Sequence, residues 1–328
     1  MKKYLALLLV LVMVLSLAAC ASKPAETTDE PEQTTTEPAP AEETKDEEPA
    51  PAEETEEEEP TEEPADNTEY AVAMITDYGD ITDQSFNQTT YEACKAFCED
   101  NGVEFSYFKP AGDNTADRVA MIEKAVDEGY NVIVMPGYAF GAAIAETAPN
   151  FSDVKFIALD VSAGDLGEGF VVPANLYCAV YQEELCGYMA GYAAVKLGYK
   201  QLGFLGGMAV PAVVRYGYGF VQGVNAAATE LNIADQVSVK YVYGNKFAPA
   251  PEITAVMDTW YKGGTEVVFA CGGGIYASAA EAAAKVEGAK VIGVDVDQAG
   301  IIDGKYGEGM TVTSAMKGLA PTVKTVLA

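Results

Sequence analysis

The chain has 328 residues with 50 acidic and 20 basic side chains, a formal net charge of −30, and no histidine. The missing imidazole excludes Ser-His-Asp and Cys-His nucleophiles and any His-ligated zinc or haem centre. The acidity argues against nucleic acid, whose phosphates need a basic footprint.

The charge is unevenly spread along three parts. Residues 1–20 open with Lys2 and Lys3, continue through an apolar run from Tyr4 to Leu15, and end in Leu17-Ala18-Ala19-Cys20. The run is shorter than the roughly 20 apolar residues that span a bilayer. A charged start, an apolar centre and small residues before the end are the marks of a secretory signal. The cysteine after Leu-Ala-Ala resembles a bacterial lipobox, which makes residues 1–19 the signal and Cys20 the lipid-bearing first residue of the mature chain. That places the protein on the extracytoplasmic side of the cell membrane, anchored by lipid.

Residues 21–69 carry 20 acidic and 2 basic side chains, a net of −18, and eight of the sixteen prolines. Almost no large apolar residue occurs there, so nothing can offset the entropy of ordering the chain. Residues 20–69 therefore read as a disordered, charge-extended tether.

Residues 70–328 hold 30 acidic and 16 basic side chains, a net of −14, with only two arginines, Arg118 and Arg215. Phosphate and carboxylate sites usually use arginine forks, so the composition leans toward an uncharged ligand. Apolar runs predict strands at Ala71–Ile75, Val103–Phe108, Val132–Met135, Val154–Leu159 and Phe170–Val172. A second set falls at Leu202–Leu205, Val237–Val242, Val267–Ala270, Val291–Val294 and Thr311–Thr313. Helical patterns lie near 85–100, 114–128, 139–148, 179–197, 210–231, 250–262 and 275–287, with one short helix after Lys317. Apolar strands alternating with helices imply parallel sheets covered on both faces, and two successive sets imply two doubly wound α/β lobes.

Asp77, Gly137, Asp160, Gly206-Gly207, Gly244, Gly272-Gly273-Gly274 and Asp295 each follow the carboxyl end of a predicted strand. That edge is where open α/β sheets bind ligands, and two facing edges make a cleft that closes on a small molecule. A strand-end Asp also serves as a helix cap, and a Gly also serves simple turn geometry. Neither Gly203-Phe204-Leu205-Gly206-Gly207 nor Gly272-Gly273-Gly274 forms a dinucleotide fingerprint, and no phosphate loop occurs, so no cofactor is expected. Asp77, Asp80 and Asp83 superficially form a carboxylate cluster, but in a loop before a helix such residues favour the helix's positive end over a metal. The cysteines besides Cys20 are Cys94, Cys98, Cys178, Cys186 and Cys271, an odd number whose spacing fixes no disulfide. They read as buried small hydrophobes.

Four segments in order resemble the basic membrane protein family, the purine-nucleoside-receptor branch of ABC-transporter solute-binding lipoproteins. They are the run from Thr76 through Asp77, Gly79, Asp83 and Ser85-Phe86-Asn87-Gln88, and Gly203–Met208 with Pro211, Arg215, Tyr216, Gly219-Phe220 and Gly223. Gly293–Gln298 and Thr313–Lys317 complete the set.

The resemblance implies a type I periplasmic-binding-protein fold, with 70–176 and 297–328 in lobe 1 and 177–296 in lobe 2. It implies a purine nucleoside (guanosine, inosine or adenosine) as ligand and ABC permease subunits as partners, with no enzymatic activity. Phe86 and Tyr216 match the aromatics that sandwich the purine, with Tyr216 standing where Phe is usual. Asn87 and Asp295 match the residues that bond the base edge. Asp77, Asp160 and Lys317 match those that hold the ribose hydroxyls, and the backbone at Gly273 would approach the sugar. Gly272-Gly273-Gly274-Ile275 departs from the family's Gly-Gly-Thr-Gly. Family members also continue past the equivalent of Ala328, which raises a longer gene product. A same-fold receptor for a neutral sugar or signalling molecule, and a surface lipoprotein with an adhesion role, are the competing readings.

Overall fold

A computed structural model describes residues 70–328; the signal segment, Cys20 and the acidic tether lie outside the described residues. The first sheet contains β1 (Ala71–Ile75), β2 (Glu104–Phe108), β3 (Val132–Pro136), β4 (Lys155–Leu159) and β5 (Leu176–Ala179), ordered β2-β1-β3-β4-β5. The second contains β6 (Gln201–Gly206), β7 (Ser238–Tyr243), β8 (Val267–Cys271), β9 (Lys290–Asp295) and β10 (Thr311–Met316), ordered β10-β9-β8-β6-β7. All neighbouring strands run parallel. Each sheet repeats one topology, which reverses direction between its first and third strands, and this reversal opens a crevice at the strands' carboxyl ends.

Helices cover both faces. In the first lobe these are α1 (Phe86–Asn101), α2 (Thr115–Asp127) and α3 (Gly141–Thr147). In the second they are α4 (Glu183–Lys196), α5 (Pro211–Glu230), α6 (Pro251–Lys262), α7 (Tyr276–Ala283) and α8 (Ala299–Tyr306). A last helix, α9 (Leu319–Leu327), returns to the first lobe and packs on α1. Central strands are apolar throughout because both faces are covered: every residue of β3 and of β8 is buried. Local signals set the helix starts. Asp83 accepts hydrogen bonds from the backbone of Ser85, Asn87 and Gln88 ahead of α1, and prolines open α5 and α6. Asp83 thus caps α1, and no group of carboxylates or thiols among the described residues is arranged to hold a metal.

Two sequence expectations shift. The fifth strand is Leu176–Ala179, not Phe170–Val172; Val171 is 84 % exposed and Pro173 follows directly. The β-branched run misled because strand propensity mostly reports burial on a pleated surface, which this run lacks. The true strand is seated by Asn175, whose amide donates to the carbonyls of Ala148, Phe151 and Val154 at 3.1, 2.9 and 2.9 Å. Second, β10 belongs to the second sheet, pairing along the free edge of β9 with Met316 opposite Asp295, and α8 packs in the same lobe. The expected first-lobe segment 297–328 therefore shrinks to α9. The chain crosses between lobes just after β5 and again at Lys317-Gly318.

α4 and α5 pack with almost no space between their backbones. A Cβ on Gly219 would stand 1.9 Å from the carbonyl oxygen of Glu184, so only glycine fits at this crossing. The five cysteines among the described residues are free thiols: Cys94, Cys98 and Cys271 are buried, whereas Cys178 and Cys186 are partly exposed rather than buried as expected.

Candidate ligand-binding cleft

The two carboxyl-terminal edges face each other across a cavity of about 890 Å³. That lies toward the upper end of the roughly 300–1,000 Å³ typical of small-molecule sites. Asp77, Phe86, Asn87, Asp160, Tyr216, Gly273, Asp295 and Lys317 all line it.

The sheet edges explain how these residues converge. Asp160 follows β4 and Asp295 ends β9, the corresponding strands of the two lobes, and both sit in the left-handed region with φ of 61° and 66°. Non-glycine residues rarely adopt that conformation, and Asp is among the side chains that tolerate it. Both carboxylates are thus aimed by a strained backbone, as functional groups often are.

Asp295 is buried at the cavity wall. Its Oδ2 accepts the hydroxyl of Ser85, in the opposite lobe, at 2.6 Å, and burial raises its pKa. Asn87 donates from Nδ2 to Asp83 at 3.2 Å, while its Oδ1 is buried without a partner. Asp77 accepts from the backbone of Tyr78 and Gly79 at 2.7 and 2.8 Å, and burial outweighs these bonds to raise its pKa.

Like Arg118, Lys317 is a buried cation of the site. Its Nζ donates to both oxygens of Asp160 at 2.9 and 2.7 Å and stands 3.0 Å from Oε1 of Glu183. It also lies 4.9 Å from the ring centre of Phe86, 5.0 Å from Tyr181 and 5.8 Å from Tyr216. Burial opposes its charge, yet Asp160, Asp295 and Glu183 together hold its pKa above the ordinary lysine value. The Asp160 carboxyl is pushed up to about 6 by burial, with Lys317 acting against the shift.

Tyr216 is only 2 % exposed; its hydroxyl donates to the Ala315 carbonyl at 3.2 Å and its ring meets Phe269 edge-on. Its ring is therefore mostly core, with a small part on the cavity wall. Gly273 is placed beside the cavity, but the space freed by the glycines is used by Phe247. A Cβ on Gly207 or Gly272 would meet the Phe247 ring at 2.3 or 2.7 Å, and one on Gly273 would meet its carbonyl oxygen at 2.6 Å.

Phe247 was not singled out in the sequence, and nothing local flags it. Its ring stacks on Tyr78 of the other lobe, centroids 6.4 Å apart and planes 26° apart. The Tyr78 hydroxyl also reaches Met208 Sδ at 3.5 Å. Behind Tyr78, buried Arg118 lies 5.9 Å from its ring centre and pairs with Asp113. Ser85 and Tyr78 stand inside the first motif, so their positions were in view although their roles were not. With Gln298 Nε2 donating to the Gln84 carbonyl at 3.0 Å, these contacts join the two lobes across the cleft.

Such a cleft, two doubly wound lobes closing over rings and carboxylates, is the architecture of a binding protein. Residues 70–327 match the Bmp family, described as ABC transporter substrate-binding protein PnrA-like. The chain belongs to this family. It is similar to an ABC transporter nucleoside-binding protein BmpA of Lactococcus lactis, 26 % identical over 251 residues, covering 73 % of this chain and 67 % of that protein. It is also similar to basic membrane protein A of Borreliella burgdorferi, 27 % identical over 231 residues, covering 70 % and 64 %. The match thus spans about two thirds of the length of these relatives.

Among solved structures, an ABC transporter solute-binding protein from Aeropyrum pernix superposes with a TM-score of 0.67 at 19 % identity, covering 79 % of this chain and 70 % of that one. A Caulobacter myo-inositol binding protein gives 0.58 at 16 % identity, covering 79 % and 86 %. The fold is that of type I periplasmic binding proteins. Bmp-family proteins are substrate-binding components of ABC transporters and not enzymes. Among the described residues, no helix is long and apolar enough to cross a membrane.

Proposed function

We propose that this Bmp-family protein captures a purine nucleoside in the cleft and delivers it to the permease of an ABC importer, tethered to the membrane through lipid on Cys20. The observation that carries the nucleoside reading is the division of one cavity into two chemistries. Phe86, Asn87 and Asp295 offer a ring face and hydrogen-bond acceptors, while Asp77 and Asp160 offer carboxylates suited to sugar hydroxyls.

The acceptors refine the reading. Ionised Asp295 only accepts, and Asn87 keeps an Oδ1 without a protein partner beside an amide group that gives one of its two N–H groups to Asp83. A base edge bearing N–H donors fits that pair, and guanine, with a ring N–H beside an exocyclic amino group, supplies two. Isothermal titration with guanosine, inosine and adenosine tests the proposal. Guanosine is expected to bind tightest, and no measurable affinity for any nucleoside would overturn it.

A receptor for a neutral sugar is the second reading, supported by the carboxylates Asp77 and Asp160 in the same cavity. Competition between guanosine and free ribose separates the two, since a sugar receptor would bind ribose without the base.

A further inference from the structure

We infer that Glu183, from outside the cavity, is a positioning residue: it sets how far the Lys317 ammonium is committed to Asp160, and thereby how strongly Asp160 accepts a hydrogen bond from the ligand. The inference rests on Asp160 being a ligand contact.

The geometry is a row of four alternating charges. Asp160 lies at the end of β4 in the first lobe. Lys317 occupies one inter-lobe crossing, and Glu183 follows the other as the first residue of α4. Arg215, on α5, ends the row and is partly exposed. The Glu183 side chain has no exposed surface; Oε2 accepts from Arg215 Nε at 2.5 Å, and Oε1 faces Lys317 Nζ at 3.0 Å.

Every inner member of this row is shared. Lys317 divides one positive charge between Asp160 and Glu183, and Glu183 divides one negative charge between Lys317 and Arg215. Glu183 does not line the cavity, so it acts on the ligand only through Lys317. In a buried network such sharing is felt strongly, because little solvent screens it.

If Glu183 lost its charge, Lys317 would commit more fully to Asp160, with Asp295 its other acidic neighbour, leaving Asp160 a weaker acceptor. If Arg215 lost its charge, Glu183 would draw Lys317 away and Asp160 would become a stronger one. The charged and titratable groups facing Asp160 are Lys317 at the crossing, Glu183 on α4, Asp295 ending β9, Arg215 on α5, Tyr181 ahead of α4 and Cys271 ending β8. Glu183 and Asp295 raise the Asp160 carboxyl and Lys317 lowers it.

The test follows the Asp160 carboxyl carbon by NMR in the full chain across pH, identified by its loss in Asp160→Asn. Glu183→Gln is expected to move the midpoint down from about 6 and Arg215→Gln to move it up. Guanosine binding at pH 7.5, where Asp160 is ionised in both proteins, should weaken severalfold in Glu183→Gln, because an Asp160 more fully committed to Lys317 accepts less strongly from the ligand. A midpoint unmoved in both variants, or moved the same way in both, overturns the inference. Should Glu183→Gln fail to fold, Arg215→Gln decides alone, an unmoved or lowered midpoint overturning it. If the unaltered protein binds no nucleoside, the proposed function fails, while the opposed midpoint shifts still judge the role of Glu183.

Discussion

Ser85 of the first lobe donates its hydroxyl to Asp295 of the second at 2.6 Å, and both residues are buried. The bond exists only when the lobes are together, so it is a closing contact made by a residue beside the proposed base site. Ser85→Ala should weaken guanosine binding by about 1.5–3 kcal/mol, the value of a hydrogen bond to a charged partner. Calorimetric titration checks this, with Ser85→Thr retaining most of the affinity because it keeps the hydroxyl. An unchanged dissociation constant in the alanine variant would show that the bond plays no part in capture.

Phe86 presents its ring to the Lys317 ammonium at 4.9 Å and lines the cavity. Removing the ring should cost about 1–3 kcal/mol of nucleoside affinity. Phe86→Ala measured alongside Phe86→Leu separates ring stacking from simple bulk. Equal losses in both would point to stacking, and full affinity in the leucine variant would leave only bulk.

Tyr78 and Phe247 meet across the cleft at 6.4 Å. An aromatic pair contributes about 0.5–1.5 kcal/mol beyond its buried area. A double-mutant cycle with Tyr78→Ala and Phe247→Ala, read on guanosine affinity, should return a coupling of that size. Strict additivity of the two losses would mean that the rings act independently.

Stability should rise as the solution is made mildly acidic. The Asp160 carboxyl is pushed up to about 6, above the ordinary 3.8, and burial also raises Asp77, Asp83 and Asp295. A raised carboxyl holds a proton in the folded state at a pH where the unfolded chain has released it, so stability grows as pH falls from about 6 toward 4. The raised Lys317 contributes a stabilisation that is constant through this window and disappears only in alkali. Carboxylates held low, such as Asp80 and Asp303, lose their contribution only as pH falls below the ordinary carboxylate range. The melting temperature is therefore expected to increase between pH 7.5 and 5, with a shallower slope in Asp160→Asn. A melting temperature that falls over this interval would contradict the assignment.

Much of the fold was readable because strands buried on both faces leave unbroken apolar runs, as in Val132–Met135 and Val267–Ala270. Phe170–Val172 carries the same signal without the burial, and only the Asn175 amide, bonded to three carbonyls, shows where the fifth strand begins. In the cleft, strand-end position brought Asp77, Asp160 and Asp295 into view. The backbone strain of Asp160 and Asp295 and their hydrogen bonds with Lys317 and Ser85 were hidden, since these depend on contacts between residues far apart in the chain. Glu183 and Phe247 had no sequence signal at all: one is buried by two distant cations, the other is seated by glycines from two other loops.

The glycine-tight crossing of α4 and α5 has a mechanical consequence. Helices whose backbones touch cannot slide or tilt against each other, so the pair behaves as one stiff beam. Glu183 sits at the near end of that beam, clamped to Arg215, and the 20 residues of α5 extend it by about 30 Å. A small rotation at the joint between the lobes thus becomes a sizeable sweep at the far end, where Tyr192 and Lys196 of α4 grip Glu230.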